Sequence, residues 1–211
     1  MTIKVIPFLL GPIENNTFLV FDPSNHAAVV IDPSFDMHPL IGLIQKEGLQ
    51  VKYILITHAH FDHIAGVNEL LENLPIRPTV ALHPGDLDLW KDRGEALQCG
   101  YQMDPLPAPD HYLVDGETIS CESFELVAHH TPGHSPGHVV FSLATLKILF
   151  TGDVIFAGSI GRTDLAGGSY NQLIASIRTK ILCLPDDTHL LPGHGPETTV
   201  GTERCNNPYL L

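Results

Sequence analysis

Between residues 57 and 63 the chain reads Thr57-His58-Ala59-His60-Phe61-Asp62-His63, directly after the apolar run 51–56. Four side chains able to bind a metal fall within six residues, and they begin where a short apolar strand of the buried kind ends. His58 and His60 are two apart, so on extended chain they point the same way and can chelate one ion. Asp62 and His63 lie where the chain turns into a helix and can face a second ion. The run therefore has to sit at the rim of a sheet, where other loops can complete its coordination.

The remaining candidates follow that rule. Leu126-Val127-Ala128 leads to the segment ending at His134, Ile148-Leu149-Phe150 leads to Asp153, and Leu190-Leu191 leads to His194. Two Pro-Gly turns each deliver one imidazole, His134 and His194. Asp153, in Thr151-Gly152-Asp153, is a carboxylate placed to bridge two cations. His138, four residues after His134, reads as a histidine supporting the ligands through hydrogen bonds. Asp32 closes a buried strand, either as a plain turn cap or to orient a ligand. His129 and His130 have no assigned role, and neither do His26, His38, His83, His111 and His189.

Strand patterns cover residues 2–10, 17–21, 27–31, 51–56, 79–82, 117–120, 124–129, 138–143, 147–150 and 189–191. Helical patterns are expected near Leu40–Ile44 with a stop at Gly48, and over 64–73, 84–97 and 169–181, with a proline-rich loop at 98–111. No repeat, low-complexity tract or linker divides the 211 residues, so one domain over 1–211 is expected. The apolar start of the chain, interrupted by Pro7, reads as a first strand and not a leader. No apolar run approaches the roughly 20 residues a membrane helix needs.

The 11 basic and 24 acidic residues give a charge of −13, which argues against a nucleic-acid partner. The four cysteines, Cys99, Cys121, Cys183 and Cys205, form no CxxC pair and read as reduced thiols of a cytoplasmic protein. No G-x-S-x-G nucleophile motif is present.

The HxHxDH run, a first Pro-Gly-His, a Gly-Asp and a second Pro-Gly-His resemble, in order and spacing, the metallo-β-lactamase superfamily. Within it the chain resembles glyoxalase II (hydroxyacylglutathione hydrolase) and its short bacterial relatives. That likeness rests on Thr131-Pro132-Gly133-His134-Ser135-Pro136-Gly137-His138, Gly161-Arg162-Thr163-Asp164, Pro192-Gly193-His194-Gly195-Pro196, and the closing Glu203-Arg204 and Asn207-Pro208. The resemblance implies an α/β fold, the four-layer αββα sandwich. It implies that His58, His60 and His134 hold one divalent ion, that Asp62, His63 and His194 hold another, and that Asp153 bridges them. Zinc is the first expectation; iron and manganese suit the same donors. The implied activity is hydrolysis of S-D-lactoylglutathione or related hydroxyacyl thioesters by hydroxide generated at the metal centre, with Asp62 as ligand and orienter. The helical C-terminal domain of full-length glyoxalase II is not expected in a chain ending at Leu211, so loose demands on the thiol portion are. Arg162 is a candidate clamp for a substrate carboxylate, with a salt bridge to Asp164 as the competing reading. Rival readings are a mononuclear-iron persulfide dioxygenase, a lactonase or β-lactamase of the same fold, and a structural metal site.

Overall fold

The computed structural model describes residues 2–211; Met1 lies outside the described residues. The chain opens with β1 (Lys4–Leu10), β2 (Asn15–Phe21) and β3 (Ala27–Ile31), then helix α1 (His38–Glu47) and β4 (Gln50–Leu55). Helices α2 (Phe61–Ile64) and α3 (Val67–Asn73) lead to β5 (Thr79–Leu82), α4 (Leu87–Lys91) and β6 (His111–Tyr112). These six strands form one sheet in the order β1-β2-β3-β4-β5-β6, antiparallel up to β3 and parallel beyond it.

The second sheet uses β7 (Thr118–Cys121), β8 (Phe124–His130), β9 (Val139–Leu143) and β10 (Ile148–Gly152). After the hairpin β11 (Ile155–Phe156) and β12 (Ser159–Ile160) comes helix α5 (Tyr170–Ser176). Strands β13 (His189–Pro192) and β14 (Thr198–Thr199) and helix α6 (Val200–Asn206) complete the chain. The order is β14-β13-β10-β9-β8-β7, with β10 and β13 the parallel pair.

Strand periodicity builds the layers. In β2, Phe18 and Val20 point into the space between the sheets, where they meet Leu126, Ala128, Phe141 and Phe150. Phe18 and Phe150 touch across that space with ring centroids 5.1 Å apart. The alternate residues Leu19 and Phe21 face outward and pack under Leu40, Ile44, Val67 and Leu70 of α1 and α3. On the far side Val140, Leu149 and Leu190 are covered by Leu173 of α5, Ile177, Ile181 and Val200 of α6. Each such side chain taken from water contributes roughly 1.5–3 kcal/mol. The result is helix, sheet, sheet, helix, the expected αββα sandwich.

Helix α1 stops where expected: Gly48 takes φ +63° and its N–H closes on the Gln45 and Ile44 carbonyls. Two expectations need correction, and one helix was not foreseen. The helix foreseen over 64–73 begins earlier and is split at Gly66 into α2 and α3. The helix foreseen over 84–97 is a tight turn at Pro84–Asp86, the short α4, and a second turn at Arg93–Glu95. Gly94 breaks it at φ +64°, because this segment is pressed against the backbone of 59–61, where a Cβ would lie 2.2 Å from the Phe61 nitrogen. Helix α6, capped by Thr199 accepting from the Thr202 N–H, was not foreseen.

Candidate metal centre

The seven sequence candidates meet at one rim of the sandwich, four from the first sheet and three from the second. His58 follows β4, His60 precedes α2, and Asp62 and His63 lie within it. His134 sits in the β8–β9 turn, Asp153 just after β10 and His194 just after β13. Position 133 must be glycine: its φ is +137°, and a Cβ there would lie 2.2 Å from the Leu173 nitrogen of α5. His58, His60, Asp62, His63 and His134 are buried, while the His194 side chain is 27% exposed and marks the side open to solvent.

Ligand-capable atoms fall into overlapping triads, each within 4.8 Å: His58, His60 and His134; His58, His63 and Asp153; and Asp62, His63 and His194. In the first, His134 Nε2 lies 3.2 Å from His58 Nε2 and 2.9 Å from His60 Nδ1. Three imidazole nitrogens converging this closely cannot all be paired with one another by hydrogen bonds. A tetrahedral ion with bonds of about 2.0–2.1 Å would hold its nitrogens about 3.3 Å apart, close to what is seen. In the other cluster Asp62 Oδ2 lies 3.0 Å from His194 Nε2 and 3.3 Å from His63 Nε2. Asp153 stands between: Oδ2 is 3.8 Å from His134 Nε2 and 3.7 Å from His194 Nε2, and Oδ1 is 3.4 Å from His63 Nε2. His63 Nε2 and Asp153 Oδ1 are buried without a hydrogen-bond partner, the condition of donor atoms that suit a cation.

The surroundings fix which nitrogen each ring presents. The Thr57 hydroxyl donates to Asp32 Oδ2 at 2.6 Å, so it accepts from His58 Nδ1 at 3.0 Å and leaves Nε2 with its lone pair inward. His134 Nδ1 donates to the Arg162 carbonyl at 2.8 Å, His63 Nδ1 to Asp32 Oδ2 at 2.9 Å, and His194 Nδ1 to the Glu14 carbonyl at 3.3 Å. Each of these rings thereby aims Nε2 at the centre, as metal-binding histidines do.

Electrostatics agree with the geometry. Burial, reinforced by neighbouring imidazoles, holds His58 well below the usual histidine value, and burial with His134 pushes His60 down to about 3. Both are neutral, the form that binds metal. Burial resists charge on His63 too, but Asp62, Asp153 and Asp32 outweigh it and hold its pKa well up. Burial likewise opposes charge on Asp62 and Asp153, yet His63 above all keeps both carboxyls below the ordinary range. The cluster is a buried concentration of carboxylate that demands positive charge.

Asp32 is more than a turn cap: it accepts from the Thr57 N–H at 2.7 Å as well as from Thr57 Oγ1 and His63. His138 supports the site as expected. It stacks on His58 with centroids 5.0 Å apart, and its Nε2 accepts the Asp153 N–H at 3.1 Å. His129 and His130 lie elsewhere, on Ser142 and against His83. The Arg162 guanidinium forms the bidentate pair with Asp164, at 2.8 and 2.6 Å, and the Arg162 carbonyl accepts from His134 Nδ1. Asp86 was missed altogether. Its signal was the one used for the others, an acidic residue shortly after a strand, here β5.

The chain belongs to the metallo-beta-lactamase superfamily: the sequence model of that family matches residues 10–194. It is 37% identical over 222 residues to the hydroxyacylglutathione hydrolase GloC of Haemophilus influenzae, spanning 100% of this chain and 98% of the relative. Two solved structures share the fold over nearly their whole length. The BLEG-1 B3 metallo-beta-lactamase matches with a TM-score of 0.91 and 38% identity, covering 98% of this chain and 99% of that one. TTHA1623 in a di-iron-bound form matches with a TM-score of 0.88 and 40% identity, covering 97% and 100%. This is a metallo-hydrolase superfamily that binds divalent metals, and among the described residues no helix is long and apolar enough to cross a membrane.

Proposed function

We propose that this protein is a thioester hydrolase of the glyoxalase II type, acting on S-D-lactoylglutathione or related hydroxyacyl thioesters with two divalent cations, zinc first among them. The observation that carries this reading is the pair of ligand sets joined by Asp153, in a chain alike along its full length to a hydroxyacylglutathione hydrolase. His58, His60 and His134 would hold one cation, Asp62, His63 and His194 the other, and Asp153 would serve both. The donor set is all nitrogen and oxygen and accepts zinc, iron or manganese; likeness to a di-iron-bound protein keeps iron in view. Bound there, the cations would supply Lewis acidity, lowering the pKa of water and polarising an acyl carbonyl.

The chain's own residues account for the rest. Asp62 contacts His63 and His194 through Oδ2, and we assign its other oxygen to accept a proton from the attacking water. His194, at the exposed side, borders the path by which the acyl group arrives. A thiolate leaves without a strong general acid, which fits a buried centre built of histidine and aspartate alone.

A β-lactam is the second acyl substrate class to test, because the likeness to BLEG-1 is as extensive as that to GloC. The deciding experiment follows S-D-lactoylglutathione cleavage, nitrocefin cleavage and oxygen uptake with glutathione persulfide on one preparation of known metal content. Thioester cleavage dominates if the proposal holds. Oxygen uptake without thioester cleavage would replace it with the persulfide dioxygenase reading.

A further inference from the structure

Asp86 closes the turn Pro84–Asp86 after β5 and is fully buried, although it belongs to none of the three triads. Its two oxygens gather three donors. Oδ2 accepts the Ala59 N–H at 3.0 Å and the Ser135 hydroxyl at 2.7 Å, and Oδ1 accepts the Gly137 N–H at 2.5 Å. Ala59 lies between His58 and His60, and Ser135 follows His134. One carboxylate thus binds both backbone segments that supply the first triad, segments about 75 residues apart in sequence.

The close packing around Asp86 says the same independently. A Cβ on Gly85 would lie 2.8 Å from the Gly137 Cα, and one on Gly137 would lie 2.3 Å from the Asp86 nitrogen. The Asp86 turn and the 131–138 loop therefore touch backbone to backbone, with no side chain to cushion a shift. Asp32, by contrast, reaches His63 directly and His58 only through Thr57.

We propose that Asp86 is a positioning residue dedicated to the first triad, setting the separation of His134 from His58 and His60. It deepens the reading given above and rests on it, since it presumes that the triads hold cations. Loss of the carboxylate should leave the Asp62, His63 and His194 set in place while loosening the three-histidine set. The expected loss for such a supporting residue is about 10- to 100-fold in affinity at the site it serves.

The test is titration of metal-free protein with Zn(II) against a chromophoric chelator, for wild type, Asp86→Asn and Ser135→Ala. A His60→Ala reference identifies which of the two dissociation constants belongs to the first triad. In Asp86→Asn that constant should rise about 10- to 100-fold while the other stays within about threefold. Ser135→Ala keeps the carboxylate and loses one of its three donors, so it should show the same selectivity at a several-fold level. It decides the matter if Asp86→Asn does not fold. Equal weakening of both sites, or of neither, refutes the role of Asp86 while wild type still binds two ions. Wild type that binds no Zn(II) overturns the two-cation reading, and this proposal with it.

Discussion

Asp32→Asn isolates charge from shape at the centre. Asp32 adopts φ +51°, a conformation asparagine tolerates about as well as aspartate, so the backbone should not object. The carboxylate accepts three hydrogen bonds, from Thr57 N–H, Thr57 Oγ1 and His63 Nδ1. An amide keeps one acceptor and turns the other into a donor. With the amide oxygen on Thr57 N–H, the NH2 group faces His63 Nδ1, and the ring can accept it only by moving its proton to Nε2. That atom lies 3.3 Å from Asp62 and 3.4 Å from Asp153, so the tautomer that suits the mutant is the one that cannot bind metal. Hydrogen bonds to charged groups are each worth about 1.5–3 kcal/mol, and reversing the Thr57 hydroxyl would cost His58 Nδ1 its acceptor, so at least one such bond is lost outright. We expect about 2 kcal/mol from the metal-free fold by urea unfolding, and a 10- to 100-fold rise in the second-site Zn(II) dissociation constant. A well-folded Asp32→Asn protein that binds its second Zn(II) within about threefold of wild type would refute the tautomer argument.

Further outcomes follow from the same geometry. Asp153→Ala should lower occupancy of both sites together in elemental analysis, whereas wild type that never exceeds one ion per chain contradicts the bridging assignment. Asp62→Asn should reduce kcat far more than it changes KM, and an unchanged kcat in folded protein would exclude its role with water. In metal-free protein, His58, His60 and His138 are held below the ordinary value of 6.5, His60 at about 3. The unfolded chain then binds more protons below 6.5, and stability present above that pH is lost as pH falls toward about 3. His63, raised well above 6.5, and His194, raised as well, act oppositely, contributing below 6.5 and losing their contributions as pH rises through their folded values. The contributions of His63 and His194 are already complete below 6.5, so the three lowered groups predict a falling urea midpoint from about pH 7 to about pH 4, and a flat profile would contradict the burial argument. Iodoacetamide should label the exposed Cys99, Cys183 and Cys205 in native protein. Burial pushes the Cys121 thiol up to about 12, so its labelling should wait for unfolding.

The candidate ligand residues were legible because each obeys a local rule: an apolar strand, a turn, then an imidazole or carboxylate. That rule needs no knowledge of which strands are neighbours, and it gathered the seven residues that the fold brings together. Helix α1 was legible for a similar reason, its stop written in Gly48. Asp86 obeys the same local rule, but what makes it matter is partners 27, 49 and 51 residues away, and no periodicity carries that information. Strands β6, β11, β12 and β14 are two residues each, too short for alternation to register. The break at Gly94 is imposed by the backbone of 59–61 pressing on it, a tertiary effect overriding a plausible helical pattern. For Arg162 the choice between clamp and ion pair turned on side-chain direction, which sequence spacing leaves open.

The division of the candidate ligands between the two sheets bears on how the protein is made. The amino-terminal sheet emerges from the ribosome first, and with it come His58, His60, Asp62 and His63, a partial chelate with no partner from the second half. His134, Asp153 and His194 arrive later. A cation caught early would sit in an incomplete cage and exchange readily until the halves close. On the two-cation reading proposed above, the full cage closes late in biosynthesis, and ions held there would fasten the two halves of the chain to each other.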